Sequence, residues 1–412
     1  MDKKALRLRN WIDIRQFRPP VIESLSNYDS SMWSGDWRAG VNVALLAIPQ
    51  GMAYALVAGL PISYGLLGSA IAAIMGGIFG GGRFITLGPT NATAVLLFGV
   101  FAGIGLIQAD GMASSDALLL LPWILIASAL FLIVASVLRI SFMIQFISRT
   151  VITAYVTAAC CLIIANQCKH LLGLQNSSSE VPTTFFEIIL NACLSLQSFS
   201  VPALTLSIIT AILFLLLQRK FPSLPNVAIT LVLSSLVAIG LEEINWKITK
   251  LDNFDLAGSF LTFPETSNFT NHWETILSAA FAVSLLCLLE GLSIGKSLAA
   301  RAGSRLDSNQ EAMSIGFGNL GCAFFSGMPA SGSLTRSTLN VQSGARTSIA
   351  NLVAGGLIIL VSGFLGNLIS YVPLCSLATL VVFIGASLIK LRQIKTVSRA
   401  TGSDAVPFLV TL

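Results

Sequence analysis

From residue 39 onward the chain is a succession of apolar runs, most of them close to the roughly twenty residues that a helix needs to cross a bilayer. Nothing else in the sequence constrains the fold as strongly. At membrane depth no water pairs with the backbone, so each run must satisfy its own N–H and C=O groups, which a helix does internally. The runs fall near 39–58, 62–80, 89–107, 117–138, 144–167, 183–197, 201–218, 226–242, 274–296, 310–325, 331–345, 348–367 and 373–390. The run at 183–197 is short enough to lie at the interface or span half the bilayer. Taken with 201–218 as a single helix, it makes twelve helices before a last run that begins near 404 and meets Leu412. Composition excludes an ordinary soluble domain: 10% of residues are charged and 54% hydrophobic, against about 25% charged in soluble chains. The expected architecture is an all-α polytopic membrane domain over 39–412. A polar, basic segment, 1–38, precedes it, with an amphipathic turn around 11–17 and no apolar stretch of the kind a cleaved signal peptide carries.

Charge placement orients this succession. With the N-terminus inside, all but four of the 24 Lys and Arg fall in the leading segment or in inner loops. Lys169, Lys247 and Lys250 lie in outer loops, and Arg336 lies inside a run. That asymmetry predicts a multi-pass protein of a cell membrane, a bacterial inner membrane, with a cytoplasmic N-terminus. The seven Cys show neither zinc-like nor secreted-framework spacing and read as small reduced hydrophobes. His170 and His272 have no partners at ligand spacing, so neither a metal nor an organic cofactor is expected, nor an enzyme. No feature points to nucleic acid; the implied surroundings are the lipid bilayer.

Two stretches break the apolar pattern. SGMPASGSLTRSTLNVQSGAR (326–346) carries Pro329, several Gly and Ser, and Arg336 at membrane depth. An arginine there costs about 2.5–3.5 kcal/mol on insertion scales, so it must face protein or an aqueous cavity. The break at Met328-Pro329 lets a new helix start near Ser331 or Ser333, with a serine as N-cap. Its free N–H groups and positive dipole end would favour an anion. A kinked structural helix whose arginine pairs with a carboxylate would show the same pattern. GGGRFITLGPTNATAVLL (80–97) has the same character: a Gly-rich approach, a β-like run Phe84–Thr86, Gly88-Pro89, a Thr90/Asn91 pair suited to capping, then an apolar half-helix. Interrupted segments at corresponding places in two halves point to a transporter's midplane site.

Two further residues sit in membrane runs where polar groups are costly. Pro49 is expected to kink the first run, in which Gln50 and Tyr54 share a helical face. A glutamine there serves as interhelical glue or as a ligand contact. Glu290, in LLEGLSIGKSLAAR (288–301), reads as the acidic residue deep in an apolar run, and both proton relay and pairing with Arg336 are open to it.

At these residues the chain resembles the sulfate permease (SulP) family of anion transporters, relatives of pendrin and prestin. The likeness is carried by IPQGMAYALVAGLP (48–61) with YGLLGS, by RFITLGPTNATA, by ISRTVITAYVTAACCLIIANQCKHLLGL (147–174) and by LLEGLSIGKSLAAR. The most specific block is GFGNLGCAFFSGMPASGSLTRSTLNVQSGART (316–347). The resemblance implies a seven-plus-seven inverted-repeat fold shared with uracil permeases, a core domain moving against a gate domain in an elevator cycle. It implies a small-anion substrate, sulfate with a co-transported proton, with a bicarbonate or dicarboxylate carrier or an anion exchanger as the alternative. A non-transporting anion or voltage sensor would use the same site. By position, Gln50, Tyr54, Thr90, Asn91, Ser333, Thr335 and Arg336 would line the anion site, and Glu290 would serve proton coupling. Thr335 replaces the family's more usual serine, and Ile294 stands where sodium-coupled relatives carry a hydroxyl, which argues against sodium. The family continues through two more segments and usually into a STAS domain, through which members often form homodimers. This chain ends just inside segment thirteen, so the fold is expected to be incomplete at its C-terminus.

Overall fold

The computed structural model describes residues 19–108, 112–139, 185–221, 226–251 and 260–389, apart from 262, 265, 302 and 304. It also describes 157, 158, 161, 164, 165 and 167–174. The expected turn at 11–17, most of the run at 144–167 and the run from 404 lie outside the described residues. The elements in order are α1 (Val21–Ser26), α2 (Ser30–Val57), α3 (Ile62–Phe79), β1 (Leu87–Gly88), α4 (Asn91–Gly103) and α5 (Ser115–Val137). Then come α6 (Phe185–Leu194), α7 (Val201–Lys220), α8 (Asn226–Glu243), α9 (Thr266–Arg301) and α10 (Ser308–Phe324). The chain continues through β2 (Ser331–Gly332), α11 (Leu334–Gln342), α12 (Ile349–Ile369) and α13 (Leu374–Leu388). Among the described residues, 6 helices are long and apolar enough to cross a membrane.

The helices sort into two groups. The larger, α2–α5 with α9–α12, packs around the paired strands and holds most of the buried apolar side chains. The smaller, α7, α8 and α13, packs on itself through Ala203, Leu206, Ala238 and Cys375 and touches the larger group mainly through α2. Apolar side chains on its outer surface, such as Ile208, Ile212, Val232 and Leu236, stay exposed, as lipid-facing positions do.

Local chemistry explains where elements begin and end. α2 starts at Ser30 rather than 39 because the Asp29 carboxylate caps it, accepting from Ser31 N–H. It runs on through Pro49 and stops at Gly59, whose φ of +71° lets Leu60 N–H return to the Ala55 carbonyl at 2.8 Å. Of the two readings open for 183–197, the structure gives the short separate helix rather than one continuous with 201–218. A 3-10 turn, Ser195–Ser198, follows α6, and Ser200 caps α7 by accepting from Ala203 N–H. Serine hydroxyls offer the backbone alternatives to a continuous helix, and Pro202 lacks the N–H to continue it. Of the β-like run expected at Phe84–Thr86, Phe84 lies in a turn, and the strand itself is Leu87–Gly88.

Candidate functional site

β1 and β2 pair antiparallel, Leu87 opposite Gly332 and Gly88 opposite Ser331. Each two-residue strand leads directly into a capped half-helix. Thr90 caps α4 in a capping box with Thr93, and Ser333 caps α11 by accepting from Arg336 N–H. The same strand–cap–helix unit is thus laid down twice in opposite directions, and the N-termini of α4 and α11 meet at one crossing.

Side chains from three helices and from β2 hold this crossing in place. Ser333 N–H donates to the Thr86 carbonyl at 3.0 Å, and Thr86 N–H donates to Ser337 Oγ at 2.9 Å. Asn351 of α12 donates to the Ile85 carbonyl and accepts from Thr86 Oγ1, both at 2.8 Å. Asn319 of α10 staples the extended approach to β2, donating to the Ala330 carbonyl at 2.8 Å and accepting from Ala330 N–H at 3.0 Å. Ser331 Oγ donates to the Cys287 carbonyl of α9 at 2.9 Å. β2 can lie this close to α9 because glycines face each other: a Cβ on Gly332 would stand 2.9 Å from Gly291 Cα.

Arg336 is fully buried and spans the two units from α11. Its guanidinium donates to the Pro89 carbonyl at the entrance to α4 and, at 3.5 Å, to Ser69 Oγ of α3. Gly88 makes room for it, since a Cβ there would collide with Nη1. Among the described residues no carboxylate lies within ion-pair distance of Arg336. The Glu290–Arg336 pairing left open by the sequence is therefore not formed. Glu290 instead accepts from Thr90 Oγ1 at 2.8 Å, on the N-cap of α4. The carboxylate and the guanidinium thus reach the start of one half-helix through different groups, a hydroxyl and a carbonyl.

The other expected residues gather here as well. Gln50 Nε2 lies 3.4 Å from Thr335 Oγ1, which is 3.3 Å from Ser333 Oγ. Tyr54 is buried one turn further along α2. Gln50 Oε1, both amide atoms of Asn91 and Arg336 Nε are buried without a hydrogen-bond partner. Buried polar atoms are almost always paired, so these unspent valences are open to a further polar partner.

Sequence reasoning passed over two buried carboxylates. Glu311, near the start of α10, accepts from Gly81 and Gly82 N–H at 3.1 and 3.2 Å and so holds the loop after α3. Asp36 of α2 accepts from Arg346 N–H at 2.6 Å, from Thr347 N–H at 3.0 Å and from Thr347 Oγ1 at 2.6 Å. It thereby ties the start of α2 to the turn between α11 and α12. Arg38 supports the same joint by donating to the Ser343 carbonyl at 2.8 Å. Tyr28 also donates to Asp36, at 3.1 Å. Its phenol is pushed up to about 12, by burial first and by the Asp36 carboxylate second, so it stays a donor throughout the neutral range. Acidic residues near the ends of apolar runs were the available signal, but their partners lie hundreds of residues away. Asp36→Ala leaves those donors unpaired and is expected to cost about 1.5–3 kcal/mol. The check is the thermal midpoint of the purified protein in detergent, where an unchanged midpoint refutes the tie.

The sulfate permease family model matches residues 34–411. The chain belongs to the sulfate permease family. It is 29% identical over 385 residues to the Arabidopsis thaliana protein named sulfate transporter 4.1, chloroplastic, covering 92% of this chain and 54% of that relative. It is 28% identical over 425 residues to the Bos taurus sodium-independent sulfate anion transporter, covering 95% of this chain and 68% of that relative. The chain thus spans about half the length of the plant relative. Among solved structures it superposes on the transmembrane domain of a cyanobacterium bicarbonate transporter, BicA, with TM-score 0.82 at 21% identity. That match covers 93% of this chain and 95% of the other. The fold is therefore the helical transporter fold of this family. Its members are transporters rather than enzymes, and this sulfate permease chain is a membrane protein.

Proposed function

We propose that this chain is the membrane domain of a secondary active transporter for a small inorganic oxyanion, sulfate with a co-transported proton. The observation that carries the reading is the crossing itself. Two half-helix N-termini meet across the β1–β2 pair, with a buried guanidinium beside them and unpartnered donors at Asn91 Nδ2 and Arg336 Nε. Positive dipole ends, hydroxyls and Arg336 offer together what an anion loses when it leaves water. Gln50, Tyr54, Thr90, Asn91, Ser333, Thr335 and Arg336 line the site in this reading. The smaller helical group serves as a gate past which the larger group carries the anion in an elevator movement. The N-terminus lies in the cytoplasm.

Glu290 carries the proton. Moving a dianion inward against the membrane potential costs about 2.3 kcal/mol per charge per 100 mV, and a proton on Glu290 offsets one charge of the load. Because Glu290 also holds the N-cap of α4 through Thr90, a change in its protonation is felt at the anion site.

The test is labelled sulfate uptake into proteoliposomes holding the protein, with and without an inward proton gradient. Gradient-driven uptake is expected, and Glu290→Gln is expected to keep uptake while losing its response to pH. Uptake of bicarbonate but not sulfate would favour the second reading, a bicarbonate carrier, which the likeness to the BicA transmembrane domain supports. Anion binding without flux of any anion would leave a sensor.

A further inference from the structure

A cavity of about 400 Å³ opens at the basic end of the larger helical group, between the loop that follows α3 and the last turns of α9. Its walls differ sharply in chemistry. Ile85, Leu298 and Leu306 supply apolar surface, and the exposed Arg83 and Arg305 also line it. Gly295 lets these apolar walls close on α9, since a Cβ there would stand 2.6 Å from Leu306 Cδ2 and 2.7 Å from Ile85 Cδ1.

The two guanidiniums are not neutralised from within the protein. Neither has a hydrogen bond or ion pair among the described residues. The nearby carboxylates bond backbone rather than either guanidinium: Asp307 accepts from Asn309 and Gln310 N–H at 3.0 and 3.1 Å, and Glu311 accepts from Gly81 and Gly82 N–H through one oxygen. Two unopposed cations beside apolar walls suit an amphiphilic anion better than a free ion. A free ion has no use for the apolar surface, whereas the stem of a lipid does. α3 and α9, both long and apolar enough to cross a membrane, end here, at the depth a bilayer gives its headgroups.

We propose that this cavity binds the phosphate group of an anionic lipid. Arg83 and Arg305 hold the phosphate, and the lipid's glycerol and first acyl carbons lie against Ile85, Leu298 and Leu306. The site also adjoins the anion crossing. Residues 81–85 lead into β1, and α9 carries Glu290 little more than one turn before Gly295. Occupancy therefore braces two walls of the crossing from behind.

The experiment uses the purified full chain in detergent, with retained phosphatidylglycerol and phosphatidylcholine measured by native mass spectrometry. The wild type should retain phosphatidylglycerol selectively. Arg83→Gln/Arg305→Gln, which keeps long polar side chains, should weaken that retention about thirtyfold. Arg219→Ala/Lys220→Ala removes the same charge from the end of α7 and should leave it unchanged. Equal losses in the two double variants would reduce the effect to general surface charge and overturn the site. Displacement of phosphatidylglycerol by millimolar inorganic phosphate would overturn the lipid as the source of the phosphate. The readout is lipid retention rather than flux, so it stands or falls separately from the transport reading.

Discussion

Arg336→Ala is expected to abolish anion uptake, with anion affinity weakened about a hundredfold, the scale of losing a charge-assisted hydrogen bond in a buried site. The same change removes the donor to the Pro89 carbonyl and to Ser69, so the entrance to α4 loses its brace from α11. Arg336→Lys separates the two contributions. It keeps the charge but not the planar fork that reaches two acceptors at once. Residual anion binding with reduced uptake is the expected result for lysine. Labelled-anion binding to detergent-solubilised protein, alongside uptake in proteoliposomes, measures both. Wild-type affinity in Arg336→Ala would remove this residue from the anion site.

Gly65→Val is expected to be the most destabilising single change in the larger helical group. α2 and α3 approach backbone to backbone where Gly51 faces Gly65, and any Cβ on Gly65 would run into the Gly51 carbonyl. A Cβ on Gly51 would in turn stand 2.6 Å from the Gly65 carbonyl oxygen and 2.7 Å from Ser69 Oγ. Overpacking typically costs about 1–3 kcal/mol, and a backbone obstacle cannot rotate away as a side chain can. The forced separation also moves Gln50 and Ser69, one beside Thr335 and the other a partner of Arg336. A lower thermal midpoint should therefore accompany weaker anion binding. Gly99→Ala is the control: its Cβ would meet nothing within 4 Å, and replacing a mid-helix glycine there should be neutral or stabilising by up to about 1 kcal/mol. Equal midpoints for the two variants would refute the close-packing account.

Much of this was legible in the sequence because the bilayer leaves so few backbone solutions. The apolar runs became helices close to their expected bounds, as at 62–80 for α3 and 226–242 for α8. Pro, Gly and the hydroxyl residues marked both half-helices, and of the caps left open, Ser331 or Ser333 and the Thr90/Asn91 pair, the structure uses Ser333 and Thr90. The sequence left the outcome open where local signals compete: the serines near 195–200 divide an apolar stretch into two helices.

The sequence by itself determined that this chain lies in a membrane, where most of its described helices are, and that Arg336 and Glu290 must be hidden within them. Those follow from residue chemistry and short-range spacing. Only the tertiary structure decided the pairings. Glu290 goes to Thr90 rather than to Arg336, Asn319 staples Ala330, and Asp36 holds a turn that lies at the far end of the chain. In an apolar interior each buried polar group must find some partner, but which one depends on which helices the fold brings side by side. No periodicity within a single run carries that information.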